Sequence, residues 1–447
     1  MKRILLILLI WPCALLVQGQ IPLFPAGTLY GSGPVAVYPE GFVAVPGQEL
    51  TLSGLREQVL EGPGTLTVED RSGVSARVAL DVVITPASAV PSDARALVLC
   101  VGESTCGLVN ANPYTGSLAE GWNWASMLRY LAREDRVDIR CLGTESVPGT
   151  GLDAFYTAHG GWSSYTFLNW PVAAKMDPWA PASFLKADDM WVALGLERVT
   201  GKAYEGAPWQ HDLIACTPYG KYRSEKPIPG AGVNEFFSEG EGFSLETYLT
   251  RYRTLDDSGE PLPAVGVNPA GETVWGSDGK RYQVGSRITS QALLRRVQVC
   301  RPTHVVLNLG INDGDSACSV EVSAHNLIAL MDRFGDVPVA LFVNRWPGVC
   351  CPELWEEYVP RKYGMNGNNT RVEAILTLLS EQLQGRPNRF LLDVWHTQYP
   401  ASQHEEKLLP DGRVDCSVND VHLGYFGQRS AAAQVLGWLY HLLSALK

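Results

Sequence analysis

The sequence predicts an α/β fold carried behind a small all-β module. Two textures in the chain lead to this reading. From Ile21 to about Pro91, short alternating segments are punctuated by Gly and Pro. From Arg95 onward, continuous apolar runs alternate with stretches of helical period. With 447 residues, 46% apolar and 19% charged, the composition is that of an ordinary globular protein larger than one domain.

Taken in order, residues 1–19 read as an export signal. Lys2-Arg3 supplies the positive region, Ile4–Ile10 the apolar core, and Val17-Gln18-Gly19 the small-residue cleavage pattern before Gln20. This predicts an exported protein, periplasmic or secreted. The apolar run to Val17 is shorter than the ~20 residues that span a bilayer and is broken by Pro12, so no stable membrane insertion is expected.

Residues 20–94 form the β-rich module, with strands expected at Phe42–Val45, Glu49–Leu52, Gly64–Val68 and Val74–Ile84, and a linker at Thr85–Ser92. The remainder, 95–447, carries strands at Ala96–Val101, Val137–Leu142, His304–Leu309, Val337–Asn344 and Phe390–Val394. Helices are expected at Trp122–Arg133, Ala324–Phe334, Arg371–Leu383 and Gln428–Leu446. Unbroken Val/Leu/Ile strands alternating with helices indicate a parallel sheet covered on both faces. Its functional residues then belong beyond the carboxyl ends of the strands. Between about 176 and 285 the rhythm stops in an insertion rich in aromatics, among them Trp179, Trp191, Trp209, Tyr219, Tyr222, Phe243, Tyr248, Tyr252 and Trp275. These suit either sugar stacking or the core of an inserted subdomain.

A formal charge of −11 argues against a nucleic-acid partner, which needs a basic footprint. Of ten cysteines, one, Cys13, lies in the leader. Export permits the rest to pair, but the pairing is not legible. With no Cys-x-x-Cys pair and no His/Cys cluster at zinc spacing, neither metal nor cofactor is expected.

The chemistry centres on Gly102-Glu103-Ser104, at the end of a buried strand. Serine-based ester hydrolysis needs a hydroxyl, a base and donors for the oxyanion. Ser104 is the candidate nucleophile, although a Gly-acid-Ser tripeptide by itself is an ordinary turn. Gly314-Asp315-Ser316 is a decoy one remove from its strand end. Asn312, in Gly310-Ile311-Asn312-Asp313, offers a side-chain amide as oxyanion donor, against a plain Asn-Asp turn as the bland reading. In Gly160-Gly161-Trp162-Ser163 the backbone N–H of Gly161 is a further donor. His422, just before the last helix, is the candidate base among eight histidines. His159 and Trp162, beside the glycine pair, are candidate substrate-binding residues.

These blocks, in this order, resemble the SGNH (GDSL-like) hydrolase family over about 95–175 and 287–447. The resemblance implies a flavodoxin-like three-layer α/β/α sandwich that acts on esters, often acyl groups on sugars. It implies Ser104 as nucleophile, Gly161 and Asn312 as oxyanion donors, and His422 as base. Two positions depart from the pattern. Glu103 stands where the family has Asp, and Asn419 stands three before His422 where an orienting Asp is expected. Asn cannot supply the charge that stabilises an imidazolium. Asp420 could do so from an extended segment; the favoured reading is a Ser-His dyad oriented by a backbone carbonyl, with Asn419 as a structural aid. The expected activity is hydrolysis of an acyl ester, acetyl foremost, on a small molecule or glycan. The alternatives are an acyltransferase with the same site, and a glycan-binding protein on a decayed scaffold.

Overall fold

The computed structural model describes residues 27–42, 50–107, 122–146, 154–160, 162–169, 172–174, 231–238, 242–260, 273–275, 281–283, 298–314, 319–344, 368–398, 404–408, 414–418 and 423–445. The expected leader lies outside them. The described chain is mixed α/β with several sheets.

The N-terminal strands are β1 (Leu29–Gly31), β2 (Val35–Val37), β3 (Leu50–Leu52), β4 (Gln58–Leu60), β5 (Gly64–Asp70), β6 (Ser75–Leu80) and β7 (Val82–Ile84). Strands β3, β5 and β6 pair antiparallel, as do β2 and β4, while β1 runs parallel to β7. Their inward residues, including Leu29, Val37, Leu52, Val68 and Val82, form a core of their own. Two expectations are corrected here. Phe42 closes a 3-10 turn (Pro39–Phe42), and the rest of the strand expected at Phe42–Val45 lies outside the described residues. The single strand expected at Val74–Ile84 is two, broken at Asp81, whose carbonyl accepts from Leu29 N at 2.9 Å and whose carboxylate takes Thr28 Oγ1. That residue leaves one ladder to anchor β1.

The next elements are β8 (Arg95–Glu103), α1 (Ser104–Gly107), α2 (Trp124–Glu134), β9 (Asp138–Leu142), β10 (Glu145–Ser146), β11 (Phe155–His159) and α3 (Ser164–Asn169). The insertion contributes the ribbons β12 (Val172–Ala174) with β13 (Ala231–Val233), β14 (Phe237–Ser238) with β15 (Gly242–Phe243), helix α4 (Leu245–Tyr252), and β16 (Thr273–Trp275) with β17 (Arg281–Gln283). Then follow β18 (His304–Asn308), α5 (Ile311–Gly314), α6 (Val320–Asp332), β19 (Val339–Phe342), α7 (Asn368–Gln382), β20 (Arg389–Leu391), the ribbon β21 (His404–Leu408) with β22 (Val414–Val418), and α8 (Tyr425–Ser444).

Strand β8 is the hub of the main sheet. It pairs parallel with β18 on one side. On the other it pairs parallel with β9 along Arg95–Leu99 and with β11 along Val101–Glu103. Strands β19 and β20 continue the parallel order beyond β18. Every residue of β8 after Arg95 is buried, which requires cover on both faces. Helix α2 packs on β9 and α8, while α6 packs on α3 and α7. The N-terminal module closes on the β20 side. Thr28 N donates to Leu391 O and Thr28 O accepts from Asp393 N, both at 3.1 Å, so the module covers an otherwise open strand edge.

Part of the insertion is core. Phe236 stacks between Phe243 at 4.6 Å and Tyr248 at 4.2 Å, and Phe243 meets Phe334 of the helix-packed core at 5.5 Å. Phe243, Tyr248 and Tyr252 are therefore packing residues and not a sugar platform. Trp179, Trp191, Trp209, Tyr219 and Tyr222 lie outside the described residues, as does the side chain of Trp275.

Candidate active site

Ser104 opens α1 directly after β8, at the carboxyl end of the hub strand. The turn between them is tight. A Cβ on Gly102 would sit 2.3 Å from Cys106 Cβ and 2.8 Å from Asn308 O, so only glycine lets β8 and β18 close around it. Helix α1 is held from two other elements. Asn123 Nδ2 donates to Cys106 O at 3.0 Å, and Gln428 of α8 accepts from Trp124 N at 2.9 Å and donates to Thr105 O at 3.5 Å.

Asn312 arrives from the neighbouring strand end. Gly310 adopts φ +122°, turning β18 into α5, and a Cβ there would strike Val343 at 2.7 Å. The Asn312 amide nitrogen then donates to Glu103 Oε2 at 3.2 Å and to Trp162 O at 3.1 Å. The same Glu103 oxygen accepts from Ser104 Oγ at 2.8 Å. Nucleophile and amide candidates are thus bound to one acceptor.

The glycine turn lies beside them. A Cβ built on Gly160 would be 3.7 Å from Ser104 Cβ. Asp313 pins the far end of this turn, accepting from Ser164 N at 3.0 Å and from Ser164 Oγ. Burial pushes the Asp313 carboxyl up to about 6, against the Ser164 hydrogen bonds that lower it. Asn312 and Asp313 therefore hold the segment 162–164 against the end of β18.

His159 is the register partner of Glu103 across β11 and β8. Its Nε2 lies 2.6 Å from Glu235 Oε2, and its ring stacks on Trp162 at 4.0 Å. Both His159 and Trp162 are buried, so they wall the site from within instead of offering an open surface. Nothing in the sequence singled out Glu235, which reaches this pair from the insertion.

Glu103, a departure from the family's Asp to which the sequence assigned no role, is a second such residue. Burial pushes its carboxyl up to about 7, opposed by hydrogen bonds from Thr105 and Ser104. A third is the pair Asp393 and His396, whose Asp-x-x-His spacing was a readable signal. Asp393 binds both Nδ1 and the backbone N of His396. Both side chains have no exposure, and Phe42 of the module packs on the ring at 4.0 Å. With Tyr38 N donating to His396 O at 2.9 Å, the pair reads as a fastener between module and sheet.

Gly161, His422, Asn419, Asp420 and Ser316 lie outside the described residues. Leu423 and α8 follow His422 immediately, and Gln428 of that helix bonds to α1. Among the described residues no group of three or more His, Cys, Asp or Glu could hold a metal ion. Among them, too, no helix is long and apolar enough to cross a membrane. Four buried cysteines, Cys100, Cys106, Cys141 and Cys300, are free thiols. Comparison of the chain with known protein families, curated proteins and solved structures finds no match.

Proposed function

We propose that this chain is an exported serine esterase of the SGNH type, acting on acyl esters, acetyl foremost, carried on a carbohydrate. One observation carries the reading: Ser104 and Asn312, at the carboxyl ends of adjacent parallel strands, are joined through one carboxylate oxygen, with the Gly160 turn alongside. An oxyanion site needs a hydroxyl and amide donors brought together in this way. Within the seven-stranded main sheet, the parallel strands β9-β8-β18-β19-β20 support a flavodoxin-like sandwich with the site at the strand ends, while β11 also pairs parallel with β8 and β10 joins β11 antiparallel.

In this reading Ser104 Oγ attacks the ester carbonyl as His422 takes its proton. The carbonyl oxygen becomes an oxyanion held by Asn312 Nδ2 and the backbone N–H groups of Gly161 and Ser104. Collapse expels the alcohol, which receives the proton from His422. Water, deprotonated by the same histidine, then releases the acid and restores Ser104. Both N–H bonds of the Asn312 amide are engaged in the resting site, so its longer bond to Glu103, 3.2 Å, must be shared with the oxyanion.

Hydrolysis of p-nitrophenyl acetate by the purified protein tests this. Turnover lost with Ser104→Ala and kept with Ser316→Ala supports the assignment. Loss only with Ser316→Ala overturns it. Acyl groups appearing on an added glycan in preference to free acid would make the enzyme a transferase. A folded protein that binds glycans with no turnover would favour the decayed-scaffold reading, which the Asn419 departure motivates.

A further inference from the structure

Glu103 is a buried acid that the reaction as written does not use. Ser104 Oγ at 2.8 Å, Thr105 N at 3.1 Å, Asn312 Nδ2 at 3.2 Å and Thr105 Oγ1 all donate to its carboxylate. Such a set of donors fits an ionised carboxylate, because a protonated one would turn an acceptor oxygen into a donor facing donors. Asn308 supports the arrangement. Its Oδ1 lies 3.1 Å from Thr105 Oγ1 and 3.2 Å from Asn344 Nδ2, while its own Nδ2 and Asn344 Oδ1 are buried without hydrogen bonds. Exchanging O and N in both amides lets Asn308 donate to Thr105 and Asn344, leaving the Thr105 proton for Glu103.

The two acceptors around Asn312, Glu103 Oε2 and Trp162 O, also decide which end of the amide faces the nucleophile. Only the NH2 end satisfies both; the carbonyl end would meet two oxygens. Resting on the esterase reading above, we propose that Glu103 is a positioning residue: its ionised carboxylate fixes the Ser104 hydroxyl and orients the Asn312 amide nitrogen toward the nucleophile. The side chain one methylene longer than Asp lets a residue on β8 reach Asn312 on the next strand end.

Burial holds the Glu103 proton to about 7, so the carboxylate ionises within the working range of a serine esterase. Among the described residues, the titratable groups around it include three. Cys106 on α1 has its thiol raised by burial and, further, by Glu103. His159 on β11 is engaged with Glu235, and Asp313 on α5 with Ser164. From β18 and α8 the neighbours are the uncharged Asn308 and Gln428.

The test is the rate of Ser104 phosphonylation by a fluorophosphonate probe, which forms an Oγ–P bond and releases fluoride, measured from about pH 5 to pH 9. The full chain is compared with Glu103→Gln and Glu103→Asp, with Ser104→Ala as blank and melting curves as fold controls. The expected result is a parent rate rising through about pH 7. Glu103→Gln should lose the Glu103 share of that limb, keeping the one a histidine base supplies, and label roughly a hundredfold more slowly on the alkaline side, as misplacement of a reacting group by about 1 Å does. Glu103→Asp should keep a limb but label more slowly. A Glu103→Gln variant that labels at the parent's rate on the alkaline side overturns the positioning role while leaving the esterase reading standing. If Glu103→Gln does not fold, a Glu103→Asp rate and profile identical to the parent's overturns it. An unlabelled parent overturns both.

Discussion

Asn312 Nδ2 lies 3.2 Å from Glu103 Oε2, and through that one oxygen it is coupled to the Ser104 hydroxyl 2.8 Å away on the other side. The nucleophile and the amide that would face it are therefore not independent. A change at any of the three residues should be felt at the other two, and energies of substitutions among them should not add.

Removal of the amide is the most direct probe. Asn312→Ala is expected to lower kcat for p-nitrophenyl acetate by about 10²–10³-fold, the usual cost of one oxyanion donor, with little change in KM. Ser104→Ala should cost on the order of 10⁴-fold or more. Steady-state kinetics on folded variants checks both. An Asn312→Ala enzyme of parental kcat would remove the amide from the mechanism.

Histidine variants separate chemistry from architecture. His422→Ala should abolish turnover with little effect on melting temperature. His396→Ala should do the reverse, lowering the melting temperature by removing a buried ring held by Asp393 and Phe42, with kcat retained in the folded fraction. Loss of turnover in folded His396→Ala with His422→Ala active would transfer the base to the Asp393–His396 pair.

Stability should rise as pH falls from about 8 to about 6. Glu103 and Asp313 have carboxyls raised to about 7 and about 6 by burial, and Glu373 is raised to about 7 for the same reason. A carboxyl held above its unfolded value binds its proton more tightly in the native state, so its contribution is complete below the ordinary carboxylate range and is lost as pH rises through the raised value. His304, lowered to about 4 by burial, acts the other way, costing stability as pH falls from about 6.5. Three raised carboxyls outweigh one lowered imidazole, so the gain should continue below pH 6 toward the ordinary carboxylate range, reduced by the His304 share. Glu103→Gln should shrink the difference in melting temperature between pH 8 and pH 6; an undiminished difference would mean Glu103 titrates normally.

Gly310→Ala should be among the costlier single-methyl additions in the chain. It forces an L side chain to φ +122° and into Val343 at 2.7 Å. Backbone strain and overpacking together predict a loss of about 3 kcal/mol or more. Chemical denaturation checks it, and Gly335→Ala, at φ +62° with nothing within 4 Å, is the control expected to lose less.

What the chain determined by itself is local. Each of the five long apolar runs carries a strand of the main sheet; for β8, β18 and β19 the reason is burial on both faces, a pattern visible in one dimension, while β9 and β20 are partly exposed. Ser104 and Asn312 were readable for a related reason, standing just past such runs where side chains leave the sheet. The tertiary structure decided what meets them. Glu103 and Asn312 meet because β8 and β18 are adjacent, and Glu235 reaches His159 from a distant insertion. Asp393 and His396 became a fastener because the N-terminal module closed over β20. Those outcomes depend on pairing order and on which faces pack. Contacts of that kind leave no periodic trace in a single sequence, since a hydrogen bond between distant residues constrains two positions and not a pattern.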